Sequence, residues 1–353
     1  MIADSILLNL FRLAAAGALW VFVMSKSPYS YTMKTLCKAS MDYGDLYREA
    51  KVRDFRPVRL PPEVGPRLEN TPAELADAHR VFVLGDSFMA DRRGHPALPL
   101  MLGARLREPV YFGGWAAPSP VCMMEEALAG KPRRPRVLIM ESVERSLVER
   151  FETPAACPGR EGPGRDPLFP FVAQVWERWL GETDKRQRFL LYNSDATAPY
   201  IEAVNTALYR WFGRMPAQTP AYTVNPPRLF SRQEAEPSLL SSFYRPHPED
   251  AVARMADTVA SQAAQLRHRF DATLVFMPVP NAMSLYHDPK VHGAYDGFLS
   301  RLCDVVEKRG VKVIRLWEPF KSAPEPVYYP ADTHWNATGV ELALERAVKA
   351  ARR

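Results

Sequence analysis

The chain has 353 residues, enough to bury a substantial core as one large domain or two ordinary ones. Its apolar fraction of 47% and charged fraction of 24% are those of a globular protein. The net charge of +6 is modest and spread out, and basic spots such as Lys131–Arg136 read as solvated turn edges, which argues against a nucleic-acid partner.

The N-terminal stretch from Ile6 to Met24 is apolar except for Asn9 and Arg12. Roughly 20 such residues can span a bilayer, with Arg12 near an interface. Leu13 to Met24 alone has the length of a signal-peptide core behind one positive charge. No small-x-small cleavage site follows Val23, so residues 1–24 are expected to be an uncleaved signal anchor, with a signal peptide or a buried helix as alternatives. Residues 25–70 are polar, proline-containing and weakly periodic, as in a stalk or linker.

A regular alternation then begins. Thr71 can cap a helix through His79, with Glu74 completing a capping box. Strands are predicted at Val81–Leu84, Val110–Phe112 and Val137–Met140, with helices at Ala97–Leu106 and Ser119–Leu128. This β-α-β-α order implies a mostly parallel sheet covered by helices. The alternation breaks between Phe151 and Pro248, a segment rich in the chain's 33 prolines and read as an insertion or lid. It resumes with a helix at Glu249–Phe270, a strand at Thr273–Met277, a helix at Ala294–Lys308, a strand at Val311–Leu316 and a closing helix at Gly339–Ala350. Residues 71–150 and 249–353 thus form two halves of one α/β domain around an insertion at 151–248.

Cys37, Cys122, Cys157 and Cys303 have neither Cys-x-x-Cys nor zinc spacing, so no structural metal is expected. Cys122 and Cys157 flank one segment and can pair in an oxidising compartment.

The first predicted strand runs into Gly85-Asp86-Ser87. Ligands of open α/β sheets bind at the carboxyl ends of the strands, so Ser87 is either a displayed nucleophile or part of a tight turn. A serine hydroxyl needs a neighbouring base. Of the seven histidines, His79, His95, His247 and His268 have no distinctive setting, and His287 and His292 with Asp288 read as a polar loop rather than a metal site. His334 differs. It lies in Tyr-Tyr-Pro-Ala-Asp-Thr-His-Trp-Asn-Ala-Thr-Gly, and Asp332 two residues earlier can fix its tautomer and support its imidazolium. Asn336 or Thr338 can cap the final helix and hold this loop.

Gly-Asp-Ser after the first strand, together with Asp-x-His before the last helix, resembles the SGNH/GDSL hydrolase superfamily. Asp-Thr-His-Trp is most similar to its branch of alginate and cell-surface polysaccharide O-acetyltransferases, whose pattern is Asp-x-His-Trp. Glu141–Leu147 (ESVERSL) and Met277–Asn281 (MPVPN) also fit that branch. The resemblance covers about residues 78–150 and 270–350.

It implies a three-layer α/β sandwich of SGNH, flavodoxin-like type with a large proline-rich insertion. It makes Ser87 the nucleophile, His334 the general base and Asp332 its orienter. The oxyanion donors would be the serine N–H, a glycine after the second strand (Gly113 or, preferred, Gly114) and an asparagine after the third. That asparagine has no counterpart, because Glu141-Ser142 stands in its place. Trp115 and Trp335 read equally as a sugar-stacking platform and as packing at a pocket rim. Asp86 reads as a turn residue, and Glu144 and Arg145 as ion-pair partners of each other or of a neighbour.

The expected activity is serine-dependent O-acyl transfer, acetyl in the first instance, to a cell-surface or exported polysaccharide. No metal or organic cofactor is required. A membrane-bound acyl-donor protein is implied as partner, with the domain anchored at the inner membrane and exported. The alternatives are an SGNH esterase or deacetylase of acylated carbohydrate, and a non-catalytic carbohydrate-binding subunit of an export complex.

Overall fold

The computed structural model describes residues 42–72, 75–76, 79–115, 119–128, 136–152 and 183–352, with scattered positions between 13 and 38. The expected anchor at 1–24 lies largely outside the described residues, as do Cys157 and residues 153–182 of the expected insertion. Among the described residues no helix is long and apolar enough to cross a membrane.

The chain divides into two compact units, Met1–Arg56 with Gly159–Met215, and Pro57–Pro158 with Pro216–Arg353. The first contains helices Asp45–Ala50, Thr183–Asn193 and Ala198–Phe212. Polar bonds join them: the Tyr47 hydroxyl donates to Glu202 Oε2 at 2.7 Å, and Asn205 Nδ2 donates to the Ala50 carbonyl at 2.9 Å. The segment read as one insertion is therefore divided. Residues 216–248 group with the second unit, where β4 (Ala221–Val224) and β5 (Pro227–Phe230) form an antiparallel hairpin.

In the second unit five parallel strands form the sheet: β1 (Val81–Gly85), β2 (Val110–Gly114), β3 (Val137–Val143), β6 (Thr273–Val279) and β7 (Lys312–Val313). Their order is β2-β1-β3-β6-β7. Counted along the chain this is 2-1-3-4-5, the flavodoxin-like doubly wound order, which opens a crevice at the carboxyl end of β1, where the order reverses.

Alternation along the buried strands loads both faces. Val81, Val83, Ile139, Val275 and Met277 share one core with helices Leu98–Leu106 and Ala337–Arg352. Phe82, Leu84, Leu138, Met140 and Phe276 share the other with helices Pro120–Ala127, Glu249–Phe270 and Phe298–Lys308. The expected three-layer α/β sandwich is what forms.

Two local expectations change, and a third lies partly outside the described residues. Thr71 Oγ1 accepts the Phe112 N–H at 3.0 Å and its own N–H donates to the Phe112 carbonyl, while Glu74 of the expected capping box is outside the described residues. The helix expected from Ala294 starts at Phe298, because Gly297 adopts φ +70° and Asp296 takes the Phe298 N–H. The last strand is only Lys312–Val313, since the chain turns into helix Trp317–Lys321.

Asn336 supplies the cap of the final helix, its Oδ1 accepting the Gly339 N–H at 3.1 Å. At Gly339 an added Cβ would lie 2.6 Å from the Val327 carbonyl oxygen and 2.9 Å from Trp335 Cβ. Neither neighbour is a flexible side-chain tip. Gly339→Ala is therefore expected to destabilise the protein by about 1–3 kcal/mol in urea unfolding, and an unchanged midpoint would contradict this packing.

Candidate active site

Ser87 is exposed and opens a one-turn helix, Ser87–Ala90, directly after β1. The turn is held locally. Asp86 Oδ1 accepts the Phe88 N–H at 3.0 Å, and the Met89 N–H donates to the Asp86 carbonyl at 3.1 Å. Asp86 is thus the turn residue its sequence position suggested. With one helical turn the macrodipole is small, so any anion stabilisation here comes from individual N–H groups. Among the described residues the Ser87 N–H donates to no acceptor.

His334 sits on a loop pinned at both ends. Tyr328 and Trp335 form an antiparallel bridge, the Asn336 N–H donates to the Val327 carbonyl at 2.9 Å, and Arg228 Nη1 reaches across from β5 to the Tyr329 carbonyl. Phe88, beside Ser87, packs on His334 and Trp335 with ring centroids 5.2 Å from each. The serine turn and the histidine loop are therefore packed as one piece.

His334 Nε2 lies 2.9 Å from Ser87 Oγ, and His334 Nδ1 lies 2.8 Å from Asp332 Oδ1. Asp332 is 1% exposed and also accepts the His334 backbone N–H at 2.9 Å. Burial alone would raise its carboxyl; the contacts with His334 and Arg93 outweigh burial and hold it well below the usual carboxylate range. An ionised Asp332 accepts a proton-bearing Nδ1, which leaves the Nε2 lone pair facing the serine hydroxyl.

Arg93 is the partner that motif reading missed. Its Nη2 donates to Asp332 Oδ1 at 2.9 Å, its Nη1 donates to Oδ2, and its Nε donates to Asp91 Oδ1 at 2.7 Å. Tyr329 steadies it, with the ring 5.7 Å from the guanidinium carbon and the hydroxyl donating to the Arg93 carbonyl. A sequence signal existed in Asp91-Arg92-Arg93, but nothing local tells which arginine turns inward.

The remaining site candidates fare differently. Gly114 ends β2 opposite Gly85, at the mouth of the crevice, and its N–H donates to Asn70 Oδ1 at 2.9 Å. Gly113 lies inside β2 and is buried; a Cβ there would meet Met123 Sδ at 2.5 Å, so its smallness serves packing, not an oxyanion. The platform reading is corrected for Trp335, which offers no face to a ligand. Trp335 is fully buried and donates its indole N–H to the Phe88 carbonyl, while half-buried Trp115 donates to the Glu141 carbonyl and is covered by Arg150 at 4.4 Å.

Glu144 and Arg145 each pair with a neighbour. Glu144 accepts the Asn281 N–H at 2.7 Å, and Arg145 contacts Glu234 at 3.4 Å. Glu141, in the place of the missing asparagine, is fully buried, and its Oε2 accepts the Asp86 N–H at 2.8 Å. Of the other cysteines, Cys122 is disulfide-bonded, and Cys37 and Cys303 carry free thiols.

A serine, an imidazole and a buried carboxylate stand in line, as in serine-hydrolase triads, at the carboxyl end of β1 in a parallel 2-1-3-4-5 sheet. Residues 229–353 match the family model ALGX, described as an SGNH hydrolase-like domain of the acetyltransferase AlgX. The likeness to that family is over the matched segment, about a third of the chain. The matched segment contains Asp332 and His334 and begins well after Ser87.

No curated protein matches the chain. Among solved structures it is similar to one described as a GDSL-like lipase from Parabacteroides merdae, at 10% identity and a TM-score of 0.34, covering 81% of this chain and 99% of that one. At that score the likeness bears no weight.

Asp332 has a folded pKa below its unfolded value, so its stabilisation is present above the ordinary carboxylate pKa of about 4 and is lost as pH falls through the folded value. Removing Arg93 leaves a buried charge short of a partner. Arg93→Met is expected to cost about 3–5 kcal/mol at neutral pH. The deficit should narrow in acid, where the variant's Asp332 protonates first; a pH-independent deficit in urea melts would contradict this.

Proposed function

We propose that the protein is a serine-dependent O-acyltransferase that moves an acetyl group onto a sugar hydroxyl of a cell-surface or exported polysaccharide. The observation that carries this reading is the contact of His334 Nε2 with Ser87 Oγ at 2.9 Å, backed by Asp332 on Nδ1 at 2.8 Å. In the first half-reaction His334 Nε2 takes the Ser87 proton as Oγ attacks the acetyl carbonyl of the donor. The imidazolium then gives that proton to the departing donor oxygen, leaving acetyl-Ser87. In the second half-reaction His334 takes the proton of a sugar hydroxyl, whose oxygen attacks the acyl-enzyme. The proton returns to Ser87 as the new ester leaves.

The oxyanion of each tetrahedral intermediate needs donors. The Ser87 N–H and the Gly114 N–H stand at the crevice; for Gly114 to serve, the substrate oxygen must replace Asn70 Oδ1 as its acceptor. The place of the expected third donor is held by Glu141. Losing one such donor costs about 10²–10³ in rate.

The sugar acceptor rests on the likeness of residues 229–353 to an acetyltransferase domain. A membrane-bound acyl donor rests on the resemblance to polysaccharide O-acetyltransferases; an anchored, exported placement rests on the apolar segment Ile6–Met24 and on the disulfide at Cys122, a bond of oxidising compartments. The exposure of Ser87 favours a second reading, an esterase with water as acceptor.

Purified protein assayed with a nitrophenyl acetate separates these readings. Ser87→Ala and His334→Ala should each lower turnover by on the order of 10⁴–10⁶, and the double variant should cost little more than either alone. Asp332→Asn should retain more activity than either. Addition of an oligosaccharide should divert acetyl from water to sugar. Full activity in Ser87→Ala would overturn the mechanism. Hydrolysis that no acceptor diverts would assign the esterase, and an inactive wild type that binds polysaccharide would assign a scaffold.

A further inference from the structure

Glu141 lies in β3, which is buried along its whole length, with its carboxyl against the nucleophile turn. Its side chain is fully buried, its Oε2 accepts the Asp86 N–H at 2.8 Å, and it is packed so closely on Gly85 that a Cβ there would lie 2.9 Å from Oε2. Its own carbonyl accepts the Trp115 indole N–H at 2.8 Å. The other carboxyl oxygen, Oε1, is buried and has no hydrogen-bond partner among the described residues.

Two charged groups act on this carboxyl: Asp86 from the turn after β1 and Arg150 from helix Leu147–Phe151. Arg150 is engaged elsewhere, donating to Ser142 Oγ at 2.8 Å and Asp86 Oδ2 at 3.3 Å. Among the described residues no cation forms an ion pair with Glu141. A carboxylate so placed would be ionised in a dry pocket, with no cation of its own and with another carboxylate close by, which is strongly unfavourable.

We propose that Glu141 is a positioning residue that works as a neutral carboxylic acid, holding the Asp86 N–H and thereby the turn that presents Ser87. Burial first, and then the charge of Asp86, push its carboxyl well above the ordinary value. Neutrality has a functional consequence, which rests on Ser87 being the nucleophile. An ionised Glu141 would add a second negative charge under the turn where the substrate oxygen itself becomes negative. A neutral acid keeps the acceptor and omits the charge, as the amide of the asparagine expected after the third strand would.

The sign of the pH dependence follows. A raised carboxyl pKa keeps Glu141 protonated below that value, so the Glu141-dependent part of the activity falls as pH rises through it, apart from any loss in acid as the His334 base protonates. The test compares kcat/KM for a nitrophenyl acetate against pH in wild type, Glu141→Gln and Glu141→Ala. Glutamine keeps a carbonyl acceptor and cannot ionise. It should stay within about tenfold of wild type near neutrality and lose the alkaline fall. Alanine leaves the Asp86 N–H without its acceptor and should lose more than tenfold at every pH.

A glutamine variant that keeps the alkaline fall, or is as impaired as the alanine variant, would overturn the proposal. Infrared spectroscopy supplies a readout independent of activity. The band of a protonated carboxyl should be present in wild type at neutral pH and diminished in Glu141→Gln. An unchanged band in that variant would overturn the neutral acid even if the enzyme reading stands. A diminished band with an inactive wild type would uphold the neutral acid while the enzyme reading fails.

Discussion

Asp332 is a charge placed where water cannot reach it, and the site depends on how that charge is satisfied. One oxygen is shared by the His334 ring, the His334 backbone and Arg93, and the other accepts from Arg93. An unsatisfied carboxylate at 1% exposure would not persist in this state. The loop that carries it is therefore committed to bringing an imidazole to one side and a guanidinium to the other. Fixing Asp332 fixes the tautomer and direction of His334, and that direction is toward Ser87.

The sheet supplies the other half of the geometry. Because β1 lies between β2 and β3, the turn that follows it opens into the crevice of the strand-order reversal. Phe88 and Trp335 then lock this turn to the loop that arrives 247 residues later. Two buried carboxyls near the serine have opposite fates for stated reasons. Asp332 meets a histidine and an arginine and stays ionised; Glu141 meets a backbone N–H and the charge of Asp86 and stays neutral. The environment, not the residue type, assigns the roles.

The parallel sheet, Ser87, and the Asp332–His334 pair were readable from the sequence because each is encoded locally, by apolar runs and by residues two positions apart. Arg93 was not, since its tie to Asp332 spans 239 residues and no spacing rule selects it over Arg92. Trp335 was misjudged for the opposite reason: adjacency to a histidine in a motif does not say which way a side chain faces, and the loop turns this one into the core. Gly114 was preferred over Gly113 in Tyr-Phe-Gly-Gly-Trp, and alternation along β2 turns Gly113 toward Met123 and leaves Gly114 at the strand end. The single insertion read between Phe151 and Pro248 hid a division. Glu202 on helix Ala198–Phe212 accepts from Tyr47 and Arg53 near the N-terminus, whereas β5 holds the Tyr328–Pro330 loop through Arg228 and Leu229.

The central claim is that Ser87 is a nucleophile made reactive by His334. Covalent labelling of the purified protein with an alkyl fluorophosphonate, followed by peptide mass mapping, tests this most directly. The account predicts a single stoichiometric adduct on the peptide bearing Ser87, formed rapidly in wild type and greatly slowed in His334→Ala. Wild-type protein that stays unlabelled, or that takes the label at another residue, would contradict it.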